Sequence, residues 1–271
     1  MLREKMVGHH VHKPHEFRWR SREISRLEGL SDAVFGFAIT LLIVSLEVPK
    51  TSTELLETMR GFAAFGVTFT LLYILWYRQF TFFRRYGLED PPTVALNGAF
   101  LFVILFFVFP LKFILGALMD RLLGGGKTIR LPNGAVERII APGHMSWLLA
   151  IYGLGFTAVS LIFTLLYAHA YRKREELALN ELEVFDTRRT LEANLHTFVI
   201  GSLIVGMAWV TGAVQGKPYE DRASFATLGV FYAYLAFMLY RTRLKGRQRK
   251  AMVARLKEIA LEGDPGPPLQ S

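Results

Sequence analysis

Arg26 to Pro49, RLEGLSDAVFGFAITLLIVSLEVP, is the stretch that most limits what this chain can fold into. Past Glu28 the next ionisable side chain is Asp32, and nothing ionisable follows until Glu47. Such a run supplies the roughly 20 residues a bilayer requires and reads as a first membrane-spanning helix. Asp32 then stands inside the span, where a charge costs about 2.5–3.5 kcal/mol on insertion scales. A sequence keeps such a group where it faces protein or water rather than lipid. The role of Asp32 is therefore the first question.

Drawn as a helical wheel, Phe37, Leu41, Val44, Leu30, Arg26 and Thr40 fall within about 60° of one direction. Ser31 and Asp32 fall about 120° and 220° away. One helix thus presents an apolar stripe with Arg26 at one end and a polar pair on other faces. From periodicity alone, that stripe faces lipid or a neighbouring helix, as stripes in any span do.

Composition extends the membrane reading to the whole chain. Its 271 residues are 52% hydrophobic with mean hydropathy +0.29, too apolar for an ordinary soluble domain. Further spans are expected at Met59–Phe83, Val94–Leu115, His144–Ala170, Leu195–Val214 and Phe225–Tyr240. The absence of cysteine excludes a disulfide framework and thiolate catalysis. The net charge of +9 raises nucleic acid as a partner, but 23 of the 32 Lys and Arg fall on one set of alternating loops and termini. That asymmetry fits the positive-inside rule, with both termini cytoplasmic and an even number of spans, and argues against nucleic-acid binding.

The remaining segments carry less chemistry. His9, His10, His12 and His15 cluster in a basic N-terminal segment without the spacing or carboxylate that completes a metal site. Phe17, Trp19 and Ile24 among Arg18, Arg20 and Arg22 predict a short helix at the membrane surface. KTIRLPNGAVERI holds two short strand-like runs around Pro132-Asn133-Gly134 and predicts a small external hairpin. Arg172 to Glu192 reads as a solvated, charged linker helix, and the tail from Gly263 as disordered. There is no GxxxxGK loop, no HExxH and no set of catalytic residues, so an enzyme is the least favoured class. His144, His169 and His196 sit near span ends, as interfacial histidines do.

Arg26-x-x-x-Leu30-Ser31-Asp32 followed by Phe35, Ala38, Ile39, Thr40, Leu41 and Leu42 resembles the first helix of the transmembrane protein 175 family of potassium channels. There the pattern is Arg-x-x-x-Phe-Ser-Asp and an Ala-Ile-Thr-Leu-Leu run. Trp76-Tyr77-Arg78-Gln79 is similar to the family's Trp-x-x-His, and Leu96-Asn97 with Phe107 to Pro110 to its Leu-Asn and Phe-x-x-Pro. Three departures stand out: Leu30 replaces Phe, Phe37 replaces the usual Ile of the tightest pore ring, and Gln79 replaces His. Gln79 can still donate and accept hydrogen bonds but cannot titrate. The resemblance is specific from Arg26 to about Pro110.

This resemblance implies an all-α integral membrane protein of six transmembrane helices (26–243), flanked by basic cytoplasmic segments 1–25 and 244–271. It implies a multi-pass homotetramer of the cell membrane in which the first helix of each subunit lines a central pore for monovalent cations. It implies no cofactor beyond the permeant potassium ion. Phe37, Thr40, Leu41 and Val44 would form the ion pathway and its hydrophobic constriction, in place of the carbonyl filter of other potassium channels. Arg26, Ser31, Asp32, Trp76, Gln79 and Asn97 would form the polar network that anchors the first helix. The competing reading is a secondary transporter using Asp32 as a proton or cation site, although the chain shows no duplication and no proline breaks the first span. A structural or regulatory membrane protein is the other alternative, with the polar cluster serving assembly alone.

Overall fold

The structure, a computed structural model, describes residues 17–213 apart from 22, 45–49, 123–127, 131–135 and 139–144, together with 244, 246, 248 and 251–255. The expected sixth span at 225–240, the four N-terminal histidines, His144 and the tail beyond Gly263 lie outside the described residues. Among the described residues five long helices dominate: α1 Arg26–Val44, α2 Ser52–Tyr86, α3 Pro91–Leu122, α4 Met145–Arg172 and α5 Glu181–Ala213. Between α3 and α4, β1 Thr128–Arg130 and β2 Val136–Arg138 pair antiparallel, with Ile129 opposite Glu137. This is the hairpin expected around Pro132-Asn133-Gly134. Four described segments are long and apolar enough to cross a membrane: Arg26–Val44, Pro91–Val108, Ala150–Arg172 and Glu181–Ala213.

Local sequence sets the helix ends. Ser25 and Glu28 form a reciprocal capping box at α1: the Glu28 amide donates to Ser25 Oγ at 3.1 Å, and the Ser25 amide to Glu28 Oε2 at 2.9 Å. Asn180 and Glu183 repeat the motif at α5, at 2.9 and 3.0 Å. α2 closes on Gly87 at φ +60, a left-handed position that suits glycine. Asp90 then caps α3, whose first residue, Pro91, needs no amide partner there. Within α3, Pro110 interrupts the backbone ladder, and the Tyr152 hydroxyl of α4 donates to its carbonyl.

α1 packs against α2 and α3, α4 joins α3 to α5, and α5 packs along α4. The core between them is aromatic: Phe35, Phe82, Phe100 and Phe163 are buried, with Leu42 and Leu166 beside them. The α4–α5 contact is close because two glycines sit in it. A Cβ on Gly153 would lie 2.7 Å from Val205, and one on Gly201 2.7 Å from the Thr157 hydroxyl. Gly206, on the same helix as Gly201, faces open space.

Two expectations fail. The segment holding Phe17, Trp19 and Ile24 is not a surface helix; it is an extended strap across the ends of α2 and α5. Phe17 is buried edge-on against Tyr86, and the Arg20 amide bonds to the Arg84 carbonyl at 2.9 Å, so the strap's backbone is tied to α2 rather than to a turn of its own. The stretch from Arg172 to Glu192 is likewise not a solvated linker. After a short turn it becomes the first third of α5, and Glu183, Asp186 and Thr187 on it are buried. A carboxylate can be buried there because arginines from the strap reach it. The fifth span, expected from Leu195, is therefore only the later part of a 33-residue helix.

Candidate ion pathway and the seat of the first helix

α1 has two opposed faces. Glu28, Ser31, Phe35, Ala38 and Leu42, spaced by three and four residues, are buried and form the packed face. On the other side Leu30 (56%), Phe37 (57%) and Val44 (74%) are exposed. Thr40 is exposed with them, and Leu41 is half-buried. Among the described residues, the stripe read from the wheel is thus the more exposed face of α1. Thr40 donates its hydroxyl proton to the Gly36 carbonyl at 2.6 Å, which leaves its oxygen free to accept on the exposed side.

The packed face meets a triad of neutral polar groups. Gln79 Nε2 of α2 donates to Ser31 Oγ at 2.6 Å and to Asn97 Oδ1 of α3 at 2.5 Å. Asn97 Nδ2 donates to Ser31 Oγ at 3.0 Å, and Ser31 donates onward to the Leu27 carbonyl at 2.8 Å. All three residues are buried, and together they tie α1, α2 and α3 at one level. Isolated interhelical hydrogen bonds average about 0.6 kcal/mol in membranes. An unmade one in such a buried set costs about 1–3 kcal/mol. The triad therefore gives the contact a unique register.

Asp32 lies on the flank of α1 between the two faces. It stays outside the triad and accepts a hydrogen bond from the Trp76 indole at 2.7 Å. Arg26 is exposed and, among the described residues, forms no hydrogen bond or ion pair. Of the six predicted anchoring residues, the structure brings together Ser31, Gln79 and Asn97, pairs Asp32 with Trp76, and leaves Arg26 apart.

Charged contacts at the capped end of the helices complete the seat. Glu28 faces Arg84 at 3.5 Å, both lining a cavity of about 90 Å³ with Ser31, Asp32, Trp76 and Gln79. Asp90 accepts from His169 at 2.6 Å and from Lys173 at 3.2 Å. Burial pushes its carboxyl up, but hydrogen bonds from Thr93, His169 and Lys173 outweigh burial and hold it well below the usual carboxylate range. Fully buried Glu183 accepts from Arg18 Nη2 at 2.9 Å and Arg20 Nη2 at 2.7 Å. His196, one of the expected interfacial histidines, bonds through Nδ1 with the Glu192 carbonyl of its own helix. None of the contacts at Glu183, Glu28 or Asp90 was read from sequence. The signal was present, since Ser25-x-x-Glu28 and Asn180-x-x-Glu183 both carry the capping-box spacing.

Among the described residues no group of three or more His, Cys, Asp or Glu could hold a metal ion. Comparison with known proteins converges on one family. The profile described as endosomal/lysosomal potassium channel TMEM175 matches residues 26–107. A Marivirga tractuosa protein named potassium channel is 38% identical over 181 residues, covering 66% of this chain and 72% of the relative. A Streptomyces collinus protein, also named a potassium channel, is 25% identical over 226 residues, covering 78% and 92%. Among solved structures, the T38A variant of the potassium channel MtTMEM175, in complex with a nanobody–MBP fusion, superposes with a TM-score of 0.71. It is 31% identical and covers 86% of this chain and 97% of that one.

Proposed function

The chain belongs to the TMEM175 family, and on that premise we propose that this membrane-embedded potassium channel conducts along the unpacked face of α1. Four copies of the subunit, each with six spans and both termini in the cytoplasm, would place Phe37, Thr40, Leu41 and Val44 around a central pore. The observation that carries this reading is the division of α1 into two faces. Its packed face is buried against α2 and α3, and among the described residues the opposite stripe is exposed apart from half-buried Leu41. In the tetramer that stripe forms stacked apolar rings, and the Thr40 hydroxyl oxygen sits among them as a cation-facing acceptor. Selection then rests on dehydration at a hydrophobic constriction, which a weakly hydrated cation passes more easily, and gating on widening and wetting of the rings. The Ser31–Gln79–Asn97 triad and the Asp32–Trp76 pair hold α1 in register, and no side chain of the triad titrates in the physiological range.

Recording from purified protein in a planar bilayer, with potassium on one side and sodium on the other, tests the proposal. A reversal shifted toward the potassium potential is expected, together with raised cation leak in Phe37→Ala. Unchanged leak in Phe37→Ala, with raised leak in Leu41→Ala, would move the constriction to Leu41. Unchanged leak in both would remove this face from the pore. A proton-coupled flux abolished by Asp32→Asn, without channel currents, would favour a transporter instead.

A further inference from the structure

We infer that Glu183 is a positioning residue for the pore helix, acting through the N-terminal strap; this rests on the reading that α1 lines the pore. The first observation is topological. α1 packs against α2 and α3, whereas α5 packs along α4. The strap runs on into α1 through the Ser25 cap, and it is bound to α5 at the Glu183 carboxylate.

The second observation is how completely that carboxylate is used. Glu183 Oε1 accepts from the Arg18 amide at 2.9 Å, Arg18 Nε at 3.1 Å and Arg20 Nη1 at 3.4 Å. Oε2 accepts from Arg18 Nη2 and Arg20 Nη2, and from the Asn180 amide that it caps. Two guanidinium groups on one buried carboxylate leave a surplus positive charge. The same arginines donate to the Leu177 and Ala178 carbonyls of the turn between α4 and α5, and Arg20 also to the Arg85 carbonyl at the C-terminal end of α2, where partial negative charge collects. One short strap therefore gathers the ends of α2, α4 and α5 and delivers them to the first turn of the pore helix. The α2–α5 contacts, Tyr86 to Thr187 and Arg78 to Asn194, bypass α1. Displacement of the α4–α5 pair reaches α1 directly along the strap.

Glu183→Gln separates the two duties of this side chain, since a glutamine still completes a capping box but forms no ion pair. A thiol introduced as Ser21→Cys reports strap release, because the chain has no native cysteine. In planar-bilayer recordings Glu183→Gln is expected to change open probability fivefold or more. Reversal potential and unitary conductance should stay at wild-type values, and the Ser21→Cys thiol should react at least fivefold faster with a charged maleimide. Arg20→Gln, which keeps Glu183 paired with Arg18, should move both readouts in the same direction by less and serves if Glu183→Gln does not assemble. Faster thiol reaction with unchanged open probability would overturn the inference, as would an unchanged reaction rate in both variants. Phe37→Ala in the same recordings tests the pore reading separately: its conductance effect persists if only the strap inference fails.

Discussion

The Ser31–Gln79–Asn97 triad and the strap clamp at Glu183 perform one task, fixing helices against each other, with opposite chemistry. The triad uses neutral groups, each satisfied by short hydrogen bonds, at a level where a bare charge would be costly. The clamp places a buried carboxylate under two guanidinium groups near the helix ends, where the Leu177, Ala178 and Arg85 carbonyls take the remaining guanidinium donors. What separates them is the medium each can tolerate. A neutral network keeps its energy whatever the pH, whereas an ionic one depends on both partners remaining charged.

The largest effect is expected from breaking the ionic side alone. Arg18→Gln with Arg20→Gln strands Glu183 as a buried, unpaired charge. Thermal unfolding in detergent should show a loss of about 3–5 kcal/mol, the usual cost of removing one side of a buried pair. A loss under 1 kcal/mol would mean that Glu183 is hydrated at that site. The neutral side should cost less. Asn97→Leu leaves the Gln79 amide short of a partner and should destabilise by about 1–3 kcal/mol. The combined Ser31→Ala, Gln79→Leu and Asn97→Leu change should recover part of that loss, because no buried polar group is then left over. If the combined variant is worse than Asn97→Leu, packing rather than polarity sets the register. The smallest effect sharpens the contrast through pH. Because the folded carboxyl of Asp90 lies below its unfolded value of about 3.9, its contribution is complete above that value and is lost as pH falls through the folded one. Asp90→Asn should flatten the acid limb of the stability–pH curve slightly, while Asn97→Leu should shift the whole curve without changing its shape.

The same contrast explains what the sequence disclosed. α1 was legible because an apolar run, a 3.6-residue period and one carboxylate inside the span, Asp32, all point to one helix with two faces, and the packed and exposed residues fall accordingly. Ser31, Gln79 and Asn97 were legible together only through the family resemblance, since nothing local says that residues so distant in sequence meet. The clamp was not legible. Its carboxylate sits in a charged run with the composition of a solvated surface helix, and its arginines sit in a segment whose aromatic and basic residues match an interfacial helix. Pairing across 165 residues converts both segments into buried structure. The period of α5 hid the join as well, because one continuous helix carries a charged third and an apolar remainder.

The tryptophans of α4 and α5 carry one last consequence, for the thickness of the surrounding lipid. Trp147 and Trp209 stack edge to face at 4.8 Å, and His169, bonded to Asp90, lies toward the other end of α4. At 1.5 Å per residue these two anchors are about 33 Å apart along the helix, close to the hydrocarbon depth of an average bilayer. A thinner bilayer would have to be met by tilting the α4–α5 pair, at a fraction of a kcal/mol per ångström of mismatch. If the strap couples the α4–α5 pair to α1 as inferred, that tilt would reach α1, and bilayer thickness would bear on the position of that helix.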